Sequence, residues 1–151
     1  MILPRALPDA PSRANPPDRR TLAQGVVSHS SAAVVYGVGL LDPFRHEFSV
    51  PPSRRVRSRR SDVVIHSAHL RSDEVEWVDD LLVTVATRMV ADLCAATLDG
   101  EHLAGVVADL LGKRLTTQDE LAVALAPFAT RYGAQTRDGR EFLDYLLSFA
   151  P

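Results

Sequence analysis

The sequence has one cysteine, one lysine and no long apolar run, and each scarcity excludes something. Cys94 alone cannot form an internal disulfide, and its place in MVADLCAAT indicates a thiol in the core. No run approaches the roughly 18 consecutive apolar residues that a membrane helix needs. The first residues also lack the basic-then-apolar pattern of a signal peptide. We therefore expect a cytoplasmic protein without a membrane span.

Catalytic and metal-binding signatures are missing too. The sequence contains no glycine-rich phosphate loop, no G-x-S-x-G, no H-E-x-x-H and no cysteine pair for zinc. Only His66 and His69 have a spacing that could serve a metal, and they would need further ligands from elsewhere. The acids from Asp73 to Asp80 have no lysine nearby, so solvated hairpin acids are the favoured interpretation and a nuclease is the alternative. We predict no enzyme, no cofactor and no metal site.

The composition is sufficient for one compact domain. The chain has 151 residues, of which 46% are hydrophobic, and its formal net charge is only -2. Such a small charge argues against a protein that coats nucleic acid over its whole surface. Half of the ten prolines fall within residues 1–20, which predicts a disordered, proline-rich leader. Residues 21–151 are expected to form a single domain.

Strand patterns come first in this domain and helix patterns follow. Ser28 is placed to cap a short helix that Gly37 ends. RHEFSVP and SDVVIHS are typical of strands, and EVEWVDDLLVT predicts a hairpin that turns at Asp79 and Asp80. Thr84 is expected to cap the first of four later helical segments. This order predicts an α+β fold, in which a small, mainly antiparallel sheet is followed by helices that pack against it.

Several of the later helices have recognisable ends. Thr117 and Glu120 form a capping-box pattern, and Asp138 is placed to cap the last helix. Pro127 is expected to bend or break the helix that contains it. Gly112 is predicted to end the preceding helix in a left-handed conformation.

The most unusual segment is RRVRSRR, which has five arginines and no acid in seven residues. The arginines are Arg54, Arg55, Arg57, Arg59 and Arg60. They fall between two predicted strands, and guanidinium groups pair well with phosphate or carboxylate. The segment is therefore a solvated loop, a nucleic-acid contact or a contact for an acidic protein partner. Without a recognition helix, any DNA binding by this loop alone would be modest and salt-sensitive.

Three segments together resemble a known family. They are SHSSAAVVYGV (residues 28–38), FSVP with the basic run and VVIH after it (residues 48–66), and LLVTVATRMVADL (residues 81–93). Over about residues 20–95 the chain is similar to the carboxy-terminal domain of AbiEi-type antitoxins, the transcriptional regulators of bacterial type IV toxin-antitoxin systems. The matching polar positions are Ser28, His29, Thr84, Arg88 and Asp92, and we expect them to be structural. Arg88 and Asp92 are four residues apart on a predicted helix, where they can form an intrahelical ion pair, or Arg88 can instead reach a carbonyl or an acid of a strand. The winged helix-turn-helix that usually precedes this domain is absent from the sequence.

The resemblance implies an antitoxin that neutralises a nucleotidyltransferase-like toxin encoded nearby and takes part in regulating their shared operon. The five arginines would then form a contact surface, for the acidic face of a toxin or for promoter DNA. Two alternatives stay open. The first is a DNA-binding transcriptional regulator that acts without a toxin, and the second, less favoured, is a nuclease-like enzyme.

Overall fold

A computed structural model describes residues 16–150, so residues 1–15 of the predicted leader lie outside the described residues. The strands are β1 (Val26–Val27), β2 (His46–Val50), β3 (Val63–Ser67), β4 (Val75–Val78) and β5 (Leu81–Thr84). The helices are α1 (Arg19–Ala23), α2 (His29–Tyr36), α3 (Ala86–Ala95), α4 (Gly100–Gly112), α5 (Gln118–Leu125) and α6 (Gly139–Phe149). Two 3₁₀ turns, Ser72–Glu74 and Ala126–Tyr132, precede β4 and follow α5. Within residues 16–150, none of the helices is both long and apolar enough to cross a membrane.

The five strands form one sheet in the order β3-β2-β1-β5-β4. β1 pairs antiparallel with β2, and β4 pairs antiparallel with β5. β1 pairs parallel with β5, and β2 pairs parallel with β3. The predicted α+β class is confirmed, but the sheet is mixed, with two parallel and two antiparallel pairs, rather than mainly antiparallel. Two neighbouring strands can run parallel only if the chain returns to the end of the sheet at which the first strand began. Long connections, such as the loop between β2 and β3, allow this return.

The two faces of the sheet serve different clusters because successive side chains of a strand point to opposite faces. Val27 and Val83 are register partners and belong to the main core, which the larger helices complete. On the other face, Val26 belongs to a smaller cluster of buried residues. The remaining members of that cluster are Val75 and Leu82, with Leu22, Leu70 and Trp77 packed against them. Helix α1 thus covers a second, smaller core.

Several predicted turns and caps are confirmed. Asp79 and Asp80 form the hairpin turn with φ angles of 46° and 67°. Thr117 accepts the backbone N–H of Glu120, whose carboxylate accepts the N–H of Thr117 in return. Asp138 caps α6 by accepting two backbone N–H groups. The α-helical segment before the predicted break also ends at Leu125, where the 3₁₀ turn begins.

Two predicted features of helix ends are wrong. Thr84 does not cap α3, because its pairing with Val75 makes it the last residue of β5. Val85 occupies the cap position instead. The helix α4 does end at Gly112, but Gly112 is not left-handed, and the residue with left-handed backbone is Arg114, at a φ of 56°.

Candidate functional site: an arginine loop and a buried polar cluster

The basic run forms the loop between β2 and β3, and all five of its arginines are exposed. Arg54 donates a hydrogen bond to the backbone carbonyl of Ala23 in α1. Arg60 makes two hydrogen bonds to Asp62, at 2.9 and 2.6 Å. These contacts attach the first arginine to the end of α1 and the last to the residue that precedes β3.

The other three arginines have no such anchor. Arg55, Arg57 and Arg59 make no ion pair or hydrogen bond with any described residue. We call these three the free arginines. Two of them border a shallow depression of about 290 Å³ that Val56 and Ile65 also line. Within residues 16–150, the loop therefore presents positive charge without a counter-ion, beside the apolar side chains of Val56 and Ile65 at β3, an edge strand of the sheet.

Two residues of the family resemblance, Ser28 and His29, lie elsewhere, in a buried polar cluster where β1 ends. Ser28 occupies the cap position of α2, but its hydroxyl makes no capping hydrogen bond. Ser28 Oγ instead lies 2.8 Å from Ser49 Oγ and 2.9 Å from His29 Nδ1. His29 follows with a φ of 53°, a left-handed conformation that costs an ordinary residue about 1–2 kcal/mol. With this backbone, its ring stacks on the ring of His66, with a centroid separation of 3.6 Å.

Glu47 supplies the cap that Ser28 does not. Its Oε2 accepts the backbone N–H of Ser30 in the first turn of α2, at 3.0 Å. Its Oε1 lies 3.0 Å from His66 Nε2 and 3.8 Å from Arg45 Nε. A carboxylate is favoured at a helix amino terminus, where unpaired N–H groups and the helix dipole meet it. Glu47 therefore ties β2, β3 and α2 together.

Burial and hydrogen bonding set the charge states in this cluster. Burial raises the pKa of Glu47, but hydrogen bonds from His66 and Ser30 outweigh this effect and hold the pKa at about 2. Burial, reinforced by the neighbouring His66, lowers the pKa of His29 to about 4. At neutral pH, Glu47 is ionised and His29 is neutral.

Arg88 forms the predicted ion pair within α3 and a second ion pair outside this helix. Arg88 Nε lies 2.9 Å from Asp92 Oδ1, four residues along α3, which confirms the predicted pairing. Arg88 Nη1 also lies 3.2 Å from Glu74 Oε1, so α3 is joined to the 3₁₀ turn before β4. Burial raises the pKa of Asp92, and the positive charge of Arg88 opposes this rise.

Two buried side-chain atoms lack a hydrogen-bond partner within residues 16–150. They are Asp92 Oδ2 and Thr84 Oγ1. Both belong to residues of the family resemblance, and buried polar atoms of this kind cost stability. The carboxylate of Asp92 is thus only half satisfied by its arginine.

The sequence alone did not reveal Glu47, Ser49 or the role of His66. Alternation along β2 puts Glu47 and Ser49 on one face, and the register pairs Ser49 with His66. That register follows from the parallel pairing of two strands, which no local pattern specifies. His66, considered above as a metal ligand, is bonded to Glu47. In the part of the chain that the structure describes, no group of three or more His, Cys, Asp or Glu residues could hold a metal.

The acids from Asp73 to Asp80 have different neighbours. Asp73 pairs with Arg71, and Glu74 with Arg88. The carboxylate of Glu76 lies 2.6 Å from the hydroxyl of Tyr36. Asp79 and Asp80 form the hairpin turn. The structural partners of these acids therefore belong to several elements rather than to one centre.

No protein-family model and no curated protein matches the chain. Among solved structures, the chain is similar to the Rv2827c protein from Mycobacterium tuberculosis, with a TM-score of 0.51 and 14% sequence identity. The match covers 85% of this chain and 53% of that chain, so this chain spans about half of its length. At this identity, the likeness concerns the fold alone.

Proposed function

We propose that the chain is a cytoplasmic antitoxin that neutralises a nucleotidyltransferase-like toxin and contacts its partner through the free arginines. The observation that carries this proposal is the exposure of Arg55, Arg57 and Arg59 without any described counter-ion. Like charges in one loop repel each other, and an anionic partner relieves that repulsion. Arg54 and Arg60, which are bonded within the fold, hold the loop in place for such a contact.

The buried polar cluster and Arg88 support the same proposal because their side chains are already bonded to other residues of the fold. One face of the His29 ring is covered by His66, and the ring nitrogen Nδ1 is bonded to Ser28. The guanidinium of Arg88 is shared between Glu74 and Asp92. The stack of His29 on His66 involves β3, one of the two strands from which the loop emerges, and Arg88 joins α3 to the turn before β4. We assign them a structural role and no catalytic step.

Growth rescue tests the proposal. The open reading frame beside this gene is induced alone and then together with residues 1–151, and co-expression is expected to restore growth. The triple variant Arg55→Gln, Arg57→Gln and Arg59→Gln should fold normally and lose rescue. A triple variant at the exposed residues Arg114, Arg137 and Arg140 removes the same charge elsewhere and should retain it. A toxic neighbour that residues 1–151 leave fully active would contradict the antitoxin proposal.

The same free arginines favour a second candidate, a DNA-binding regulator without a toxin, because phosphates are also anions. Each phosphate contact contributes about 0.9 to the slope of log affinity against log salt concentration. Binding to the DNA upstream of the gene should then have a steep salt dependence. The free-arginine triple variant would reduce the slope by up to about 3. Such binding, together with a neighbour that is not toxic, would favour the regulator.

A further inference from the structure

A cleft beside the arginine loop has the size of a small-molecule site. Its volume is about 530 Å³, and ligand pockets generally measure about 300–1,000 Å³. It lies where α1 meets the end of β2 and the segment after β3. Leu22, Pro51 and Leu70 supply apolar walls, and all three are half-buried.

The charge of the cleft has one sign. The ionisable described residues that line it are Arg19, His69 and Arg71, and no described acid does so. Arg19 makes no ion pair or hydrogen bond with any described residue. Arg71 is oriented by Asp73, with 3.0 Å between Arg71 Nε and the carboxylate. An apolar cleft with two guanidiniums at its rim is suited to a ligand that has a phosphate and a planar apolar body.

The walls of this cleft are held together without a ligand. Arg54 bonds the loop to the carbonyl of Ala23 at the end of α1. Asp18 caps the same helix, accepting the N–H of Thr21 at 2.8 Å. Leu22 and Leu70 pack against the smaller core. A site whose walls are already positioned loses less conformational freedom when it binds.

The lining of the cleft includes one deeply buried polar residue. Ser49 lines the cleft but is only 1% exposed. Its hydroxyl donates to Ser28 Oγ at 2.8 Å, so the oxygen keeps lone pairs that can accept a further hydrogen bond. An exocyclic amine of a nucleobase is a donor of that kind. Ser49 also links the cleft to the buried polar cluster.

We propose that this cleft binds a mononucleotide, with the phosphate at Arg19 and Arg71 and the base against Leu22, Pro51 and Leu70. The residues that line the cleft account for both parts of the nucleotide. The guanidiniums recognise the phosphate, and the apolar walls with Ser49 receive the base. The site is separate from the free arginines, so the proposal is independent of the antitoxin role.

Calorimetric titration of residues 1–151 tests it, with the four ribonucleoside 5′-monophosphates as ligands. Adenosine and inorganic phosphate, which are the two halves of adenosine 5′-monophosphate, are titrated separately as controls. We expect at least one mononucleotide to bind tenfold or more tightly than either half. The variant Arg19→Gln should weaken that binding at least fivefold. Arg137→Gln, which removes one exposed charge outside both the cleft and the arginine loop, should leave it unchanged.

Arg19→Gln is the decisive variant because Arg19 has no described partner, so the substitution should not disturb the fold. Arg71→Gln should weaken binding as well, and its thermal midpoint is measured because it also releases Asp73. Trp77, the single tryptophan, packs with Leu22 and Leu70 against the smaller core and should change its fluorescence on binding. The proposal is overturned by absence of binding at millimolar nucleotide. It is equally overturned if inorganic phosphate binds as tightly as the nucleotide, or if Arg137→Gln weakens binding as much as Arg19→Gln.

Discussion

The ring of His29 lies almost parallel to the ring of His66, at an interplanar angle of 13° and a centroid separation of 3.6 Å. Two imidazoles this close cannot both be protonated without strong repulsion. Glu47 sits against His66 and caps α2, so the stack is joined to two strands and a helix. Protonation at this point therefore affects several elements together.

Acid should destabilise the fold in two stages. The folded pKa of His29 is about 4, below its ordinary 6.5, so the unfolded chain takes up this proton first. The corresponding stability is complete above pH 6.5 and is lost as the pH falls towards 4, by up to about 3 kcal/mol. The folded pKa of Glu47 is about 2, below its ordinary 4.5, so its contribution is lost between those values. Urea unfolding at a series of pH values measures both stages.

Matched variants separate these stages. His29→Gln should flatten the dependence of unfolding free energy on pH between 6.5 and 4, and Glu47→Gln should flatten it below 4.5. A wild-type slope in His29→Gln would contradict the assignment of that window.

Arg88→Met should destabilise the protein by about 3 kcal/mol, because it leaves the buried carboxylate of Asp92 without a counter-charge. The double variant Arg88→Met with Asp92→Leu should be more stable than the single variant, since neither charge then stays buried alone. Thermal unfolding measures the difference, at about 2–4 °C per kcal/mol for a chain of this size. Equal midpoints for the single variant and the wild type would show that the ion pair contributes nothing.

Thr84→Val should stabilise the protein by about 1 kcal/mol. The substitution keeps the shape of the side chain and removes a buried hydroxyl oxygen that has no described partner. Ser49→Ala is the contrasting variant, because it removes a hydroxyl that donates to Ser28, and should cost about 1 kcal/mol. Chemical denaturation measures both effects, and a loss of stability in Thr84→Val would mean that its hydroxyl has a partner after all.

Gly139→Ala should destabilise the protein by about 3 kcal/mol or more. A Cβ atom at this position would overlap the carbonyl oxygen of Ala122, so α6 would have to move away from α5. Gly105 lies in the interior of α4, where an added Cβ would meet no other atom within 4 Å. Gly105→Ala should therefore stabilise by about 0.5–1 kcal/mol. Similar thermal midpoints for the two variants would contradict this account of the α5–α6 contact.

Local signals predicted much of the fold. The hairpin turn at Asp79 and Asp80, the capping box at Thr117 and the cap at Asp138 all depend on residues a few positions apart. The i,i+4 spacing of Arg88 and Asp92 likewise predicted their pairing. Thr84 was misassigned because a threonine before a helix has the same local pattern whether it caps the helix or ends a strand.

The parts that sequence reasoning missed depend on distant residues. Glu47 and His66 meet only because β2 and β3 run parallel, and a strand pattern does not specify its partner. The arginine loop was recognised from composition alone. The division into anchored and free arginines required the positions of Ala23 and Asp62, which lie on separate elements.

The central strand of the sheet is also its shortest, and this has a consequence for local opening. β1 joins β2 and β3 on one side to β5 and β4 on the other, and its contact with β5 is the single register pair Val27 and Val83. These partners are more than fifty residues apart in sequence, whereas the β4–β5 hairpin closes over two residues. We expect amide hydrogen exchange to show the hairpin retaining its protection while the junction at β1 opens. The sheet would then behave as two cooperative units that meet along one narrow seam.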